Sequence, residues 1–155
     1  MFQSNREVDL NFPTYQFRIE EQEQKKRIFD VVRKKFIPLT PEEWVRQHCL
    51  RYLHEEMGAS YGLMQVEKVQ VFNGLRLRFD VALYGRNGKA LCIVECKRPE
   101  VKITRETVIQ TARYYAGLDA PYIWLTNGIN HVWFERKDEK LSLLQKEPDL
   151  LTNNS

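Results

Sequence analysis

The stretch that decides the fold is residues 75–97, which reads LRLRFDVALYGRNGKALCIVECK. Its first ten residues alternate between apolar and polar, the period of a β-strand with one buried face. The side chains predicted to share that face are Leu75, Leu77, Phe79, Val81 and Leu83. After a turn at residues 85–88, residues 90–94 are continuously apolar, as in a strand covered on both faces. The stretch predicts two neighbouring strands, the second ending in the charged residues Glu95 and Lys97.

Two helical segments are predicted before these strands. Residues 19–36 are charged and helix-prone, and their apolar stripe at helical spacing consists of Ile28, Val31, Val32 and Phe36. The stronger helix covers residues 41–57, because Thr40 is a natural N-cap followed by a proline, and Gly58 ends the apolar period. Glu43 stands where a capping box places its acid.

Further strands and one more helix complete the predicted elements. Strands are expected over three segments, residues 67–72, 122–126 and 131–135. Asn73-Gly74, the strongest short hairpin signal, joins the first of these to residue 75. Thr104 can cap a second helix, whose predicted apolar stripe is Val108, Ile109, Ala112, Tyr115 and Ala116. The tail from Lys137 is predicted to be a short helix or coil.

The order of these elements indicates the fold class. A helix, three strands, a helix and two strands are typical of an α/β sandwich, with a central mixed sheet flanked by helices. The length of 155 residues fits one domain. We therefore predict a single domain over residues 1–155, with an extended arm over 1–18, a core over 19–136 and a tail over 137–155.

Composition excludes several classes of protein. With 43% hydrophobic and 29% charged residues, the chain is not disordered. No apolar run approaches the roughly 18 residues of a membrane span, and the N-terminus lacks a signal-peptide pattern. The three cysteines cannot all pair within the chain, which favours a reducing compartment. We predict a cytoplasmic protein without a membrane partner, and the net charge of +3 permits a polyanionic one.

Asp80 and Glu95 are the first candidates for chemistry. Fourteen residues separate them, and a hairpin between neighbouring strands would bring the two carboxylates together. Period two puts Glu95 and Lys97 on one face of their strand. Two carboxylates with room for water suit Mg²⁺, and a lysine ammonium can orient an attacking water or neutralise phosphate charge. The alternative interpretation is an exposed charge pair between Glu95 and Lys97.

Several phrases of the sequence together resemble one nuclease family. In chain order they are Ile28-Phe29-Asp30, Arg33-Lys34-Lys35, LTPEEWVRQH at 39–48, Arg78-Phe79-Asp80, Val94-Glu95-Cys96-Lys97, Gln110-x3-Tyr114 and LTNG at 125–128. Asp80 with Glu95-Cys96-Lys97 resembles the PD-(D/E)XK nuclease signature. The chain is similar to the N-terminal nuclease domain of type I restriction enzyme R proteins. One departure is Phe79, where the signature often has a proline.

This resemblance implies a restriction-type DNA endonuclease that hydrolyses phosphodiester bonds with Mg²⁺, for which Mn²⁺ can substitute. It implies metal ligation by Asp80, Glu95 and the main-chain carbonyl of Cys96, with Lys97 as the catalytic lysine. A glutamate on the first helix often assists the metal in this fold. Glu43 is the candidate and its neighbour Glu42 the fallback, although the capping box explains Glu43 without any metal.

The resemblance also implies a substrate-binding pair on the second helix. Gln110 and Tyr114 lie one turn apart and look away from the centre of the apolar stripe. The resemblance places them at the rim of the acidic site. Without the resemblance, they are a surface glutamine and a half-buried tyrosine.

The sequence leaves two other functions open. One is a nuclease fold retained as a DNA-binding or protein-interaction module without turnover, although intact Asp80, Glu95 and Lys97 count against it. The other is a dimeric nuclease selective for branched DNA. The expected partners are DNA and either restriction-modification subunits or a second copy of the chain.

Overall fold

The architecture comes from a computed structural model, which describes residues 8–151 apart from the side chain of Phe72. Within that range the strands are β1 Ile19–Gln22, β2 Lys25–Asp30, β3 Lys35–Pro38, β4 Met64–Phe72, β5 Leu75–Tyr84, β6 Ala90–Cys96, β7 Tyr122–Thr126, β8 His131–Lys137 and β9 Lys140–Leu144. The α-helices are α1 Pro41–Glu55 and α2 Arg105–Tyr114. Neither of these helices is long and apolar enough to span a bilayer.

The central sheet has six strands in the order β4-β5-β6-β7-β8-β9. The β6–β7 pair is parallel and the other pairs are antiparallel, so the sheet is mixed. A separate antiparallel sheet contains β1, β2 and β3. The predicted α/β sandwich with a central mixed sheet is confirmed.

The helices cover opposite faces of the central sheet. In β6, Cys92 and Val94 pack in a buried cluster with Leu50 of α1, whereas Ile93 packs in a second cluster with Tyr115 at the end of α2. Alternate residues of this strand therefore enter different cores, as predicted for a strand covered on both faces. Cys92 and Cys96 are both buried in the α1 cluster and belong to the core.

The helix predicted over residues 19–36 is wrong, because this segment forms β1, β2 and β3. Glu23 and Gln24 have positive φ angles of 53° and 64° and turn the chain between β1 and β2, as in a two-residue hairpin. The buried Asp30 carboxylate accepts the backbone N–H groups of Val32 and Arg33 at 2.8 and 2.7 Å. This local bonding holds a turn in place of a helix.

The helix α1 begins as predicted and ends earlier. The Thr40 hydroxyl accepts the backbone N–H of Glu43 at 3.1 Å, so Thr40 is the N-cap. The helix ends at Glu55 rather than at residue 57. Gly58 has a φ of 76°, the left-handed conformation common after helix ends.

The tail is also different from its prediction, since it contains β9 rather than a helix or coil. Asp138, with a φ of 56°, turns the chain between β8 and β9. Leu141 and Leu144 of β9 then pack against the two buried clusters. Residues 1–7 of the predicted arm and 152–155 of the predicted tail lie outside the described residues.

The regular alternation predicted for residues 75–84 breaks at Asp80. Leu77 and Phe79 pack in the α2 cluster, whereas Val81 and Leu83 pack in the α1 cluster, and Leu75 is 65% exposed. At the same point the β4–β5 pairing omits Asp80 and the residue opposite it, Glu67, which has a φ of 53°. Because β5 pairs with β6 only over Val81–Tyr84, the two strands separate at Asp80.

Candidate active site

The separation of β5 from β6 opens a cavity of about 690 Å³. Most of the residues predicted for the site line it, namely Asp80, Glu95, Cys96, Lys97, Gln110 and Tyr114. The predicted residue that does not line it is Glu43. The fallback Glu42 does, at the start of α1. Side chains from both helices and both strands thus meet in one cleft.

Asp80 connects the two strands where they diverge. Its Oδ2 accepts the backbone N–H of Cys96 at 2.8 Å, and its Oδ1 accepts a hydrogen bond from Nη2 of Arg46 at 2.9 Å. Each carboxylate oxygen has two lone pairs. The carboxylate also interacts with the Glu42 side chain, which contributes to raising the pKa of Glu42 after burial.

Glu95 is held from two sides. Lys97 Nζ lies 3.2 Å from its Oε1, so the two side chains share a face as predicted. The hydroxyl of Tyr115 donates to its Oε2. The Glu95–Lys97 ion pair therefore exists, but it lies in the same cavity as Asp80 rather than on an open surface.

Tyr115 is a site residue that the sequence pattern did not reveal. The pattern assigns it to the apolar stripe of α2, and it is indeed fully buried. Burial, and then the neighbouring Glu95 carboxylate, raise the pKa of its phenol, so it remains a proton donor at neutral pH. The available signal was that a buried tyrosine usually requires a partner for its hydroxyl.

Arg46 is the second residue that the pattern did not reveal, and it organises the acids of α1. This buried side chain donates from Nη2 to Asp80 and, at 3.1 Å, to Glu42 Oε1, while Nη1 binds Glu43. Glu43 also binds Arg33. Its carboxylate is therefore enclosed between two guanidinium groups, whereas the Glu42 carboxylate reaches the cavity.

A buried network ties this arrangement to the three-stranded sheet. Arg33 donates to Asp30 at 2.8 Å as well as to Glu43. Gln47 of α1 donates to the same Asp30 carboxylate at 2.8 Å. Asp30 and Arg33 thus help to position α1, and neither residue lines the cavity.

Gln110 and Tyr114 lie on the exposed side of α2, at the rim of the cavity. The Tyr114 hydroxyl accepts the backbone N–H of Arg78 at 3.2 Å, which joins α2 to β5. Ile109, predicted to be part of the apolar stripe, is 40% exposed. The residues of α2 and its C-cap that pack on the sheet are instead Val108, Ala112 and Tyr115.

Comparison with models of known families gives a match over most of the chain. The model of the family described as type I restriction enzyme R protein N terminus matches residues 41–147. The chain belongs to this family. The matched region runs from the start of α1 past the end of β9 and contains every cavity residue named above. No curated protein matches the chain.

The region matched by the family model includes the cavity residues and excludes the three-stranded sheet. β1, β2 and β3 precede residue 41 and therefore lie before the matched region. Within residues 8–151, no three side chains of His, Cys, Asp or Glu group as a metal site.

Proposed function

We propose that this R-protein N-terminal domain is a divalent-metal-dependent deoxyribonuclease that hydrolyses phosphodiester bonds. The observation that carries the proposal is the meeting of Asp80, Glu95 and Lys97 in one open cavity. Two carboxylates and an ammonium beside a cleft are the groups that phosphodiester hydrolysis needs. Membership in a restriction enzyme family supports DNA as the substrate and restriction-modification subunits as partners.

The donor set fits Mg²⁺, with Mn²⁺ as a substitute. Mg²⁺ typically keeps several waters and uses one or two protein carboxylates, and Asp80 and Glu95 supply two. The Cys96 carbonyl is the proposed third ligand. When bound, the ion supplies a Lewis acid that activates water and neutralises phosphate charge.

Side chains of the protein would stabilise charge on the phosphate, orient the carboxylates and bind the DNA. Lys97 would place its positive charge where charge develops on the phosphate. Tyr115 and Arg46 would hold Glu95 and Asp80 in fixed orientations. Gln110 and Tyr114, at the rim, would hold the DNA backbone.

The test is a plasmid-nicking assay with Mg²⁺, Mn²⁺ or EDTA. Wild type should nick with either metal and not in EDTA, whereas Asp80→Ala should be inactive with both. Glu139→Ala, which removes an exposed acid in the β8–β9 turn, is the matched control and should nick normally. Binding of DNA without nicking under any metal would instead favour the interaction module.

Glu42 replaces Glu43 as the proposed acid of α1. We expect Glu42→Gln to weaken Mn²⁺ binding severalfold, because its carboxylate lines the cavity. Glu43→Gln should leave Mn²⁺ affinity close to wild type and lower the melting temperature, since it leaves Arg33 and Arg46 underpaired in a buried network. Calorimetry and thermal melts separate the two. Weaker Mn²⁺ binding in Glu43→Gln alone would restore Glu43 as the ligand.

Tyr115→Phe should slow cleavage by about ten- to hundredfold. A hydrogen bond to a charged group contributes about 1.5–3 kcal/mol, and about 1.4 kcal/mol corresponds to one decade in rate. The ring is retained, so packing is conserved. Single-turnover nicking measures the rate, and the control is Tyr84→Phe at the end of β5, outside the cavity. A normal rate in Tyr115→Phe would limit this residue to packing.

Gln110→Ala should slow cleavage by roughly ten- to hundredfold. The reason is the loss of a hydrogen bond from Gln110 to a charged phosphate, converted from free energy to rate as for Tyr115. Thermal stability should change little, because the side chain is exposed. Ile109→Ala, its exposed neighbour on α2 that does not line the cavity, should cleave normally. Normal cleavage by Gln110→Ala with a melting temperature lower by several degrees would identify a packing residue.

A further inference from the structure

We propose that the ribbon formed by residues 68–79, the outer part of the β4–β5 hairpin, is a groove-reading element for double-stranded DNA. The proposal rests on the proposed function only for its choice of DNA as the partner. In this proposal the ribbon binds the DNA duplex on one side of the phosphodiester bond that is cleaved.

The ribbon extends past the end of the β5–β6 pairing, while its inner face packs in the α2 cluster through Leu77 and Phe79. β4 is the edge strand, and β5 pairs with β6 only over Val81–Tyr84. Asp80 and Leu75 are five residues apart. At about 3.3 Å per residue the ribbon therefore extends roughly 17 Å beyond Asp80.

One face of the ribbon is exposed, apolar and basic. Val71 is opposite Arg76, and Val69 is opposite Arg78; directly opposite residues lie on the same face of an antiparallel pair. Val71 is 68% exposed, and the Arg78 side chain is 65% exposed. Arg78 also lines the cavity that contains Asp80. The exposed face and the cleavage site thus form one continuous surface.

The charge of the ribbon indicates which partner covers it. Residues 68–79 contain Lys68, Arg76 and Arg78 and no acidic residue, and Arg78 is paired at 2.7 Å with Glu67, which precedes the ribbon on β4. Within the described part of the chain, Arg76 has no ion-pair partner. Exposed valines between arginines suit a duplex, where cations meet phosphates or guanine edges and apolar groups meet thymine methyls.

The dimensions of the ribbon match those of DNA. The major groove is about 12 Å wide and admits a two-stranded β-ribbon. A reach of about 17 Å is half of one helical turn of roughly 34 Å, or about five base pairs. The ribbon would therefore contact the duplex within about five base pairs of the cut.

The test compares Arg76, near the start of β5, with Arg86, in the turn that follows β5. Binding of a duplex oligonucleotide is measured by fluorescence anisotropy in EDTA, so that cleavage does not interfere. Arg76→Ala should weaken binding about fivefold or more, and a lost phosphate contact should reduce the salt slope by about one. Arg86→Ala, which removes an exposed arginine from the β5–β6 turn, should bind like wild type.

A second variant, Val71→Asp, adds a negative charge to the same face without removing an ion pair and should also weaken binding. Equal affinities of Arg76→Ala, Val71→Asp and wild type would overturn the ribbon while leaving nicking, and so the proposed function, intact. Ribbon-dependent binding without nicking would support the ribbon and reject the nuclease. Failure of wild type to bind duplex, or a change of oligomeric state in these variants instead of DNA affinity, would overturn the ribbon.

Discussion

Plasmid DNA should remain supercoiled when Lys97→Ala is incubated with Mg²⁺, while the variant still binds DNA and Mn²⁺. The ammonium lies 3.2 Å from Glu95, inside the cavity, and its charge matters most when charge develops on the phosphate. Removing one such preorganised group lowers kcat by about 100- to 1000-fold. Because a positive charge leaves the cavity, Mn²⁺ should bind at least as tightly as in wild type.

The control for Lys97 is Lys89→Ala, an exposed lysine before β6 and outside the cavity. It removes the same charge and should nick plasmid at the wild-type rate. Single-turnover nicking, Mn²⁺ calorimetry and DNA binding are compared for both variants. Unimpaired nicking by Lys97→Ala would take Lys97 out of the mechanism and leave it as the ion-pair partner of Glu95.

Asp80→Asn should abolish the heat of Mn²⁺ binding. The substitution preserves shape but removes the charge of one of the two carboxylates. The amide oxygen can still accept a hydrogen bond from the Cys96 N–H. In that orientation the amide nitrogen faces Arg46, so two hydrogen-bond donors oppose each other. We therefore also expect a loss of stability of about 1–3 kcal/mol.

Asp138→Asn is the matched control for this loss of charge. Asp138 lies in the β8–β9 turn with a φ of 56°, a conformation that asparagine tolerates. The control should bind Mn²⁺ with wild-type heat. Calorimetry is run below the melting temperature of each variant, so that unfolding is not mistaken for lost binding. Equal heats from Asp80→Asn and wild type would place the ion elsewhere.

Local patterns in the sequence were sufficient for the elements that carry the acids. The apolar run of β6 and the Asn73-Gly74 turn are short-range signals, and each predicted its strand correctly. The N-cap of α1 depends on Thr40 and a backbone N–H three residues away, so it too is visible in sequence. Hairpin geometry predicted that the Asp80 and Glu95 carboxylates would come together, and both residues line the same cavity.

Local patterns failed where the spacing of apolar residues was compatible with both a helix and a set of strands. Residues 19–36 have apolar residues at helical spacing, but Ile28 is buried against Ile19 and Ile37 of neighbouring strands. The Asp30 carboxylate binds backbone N–H groups in the following turn, which competes with helix formation. Pairing with other segments decided between helix and strand.

By itself, the sequence determined the α/β class, the strands bearing Asp80 and Glu95, and the family. Only the tertiary structure decided which residues hold those carboxylates and which acid of α1 reaches the cavity. Arg46 contacts Asp80 across 34 residues and Tyr115 contacts Glu95 across 20. Such partners are selected by the packing of α1 and α2 on opposite faces of the sheet. Periodicity within a single segment carries no information about which distant side chains that packing brings together.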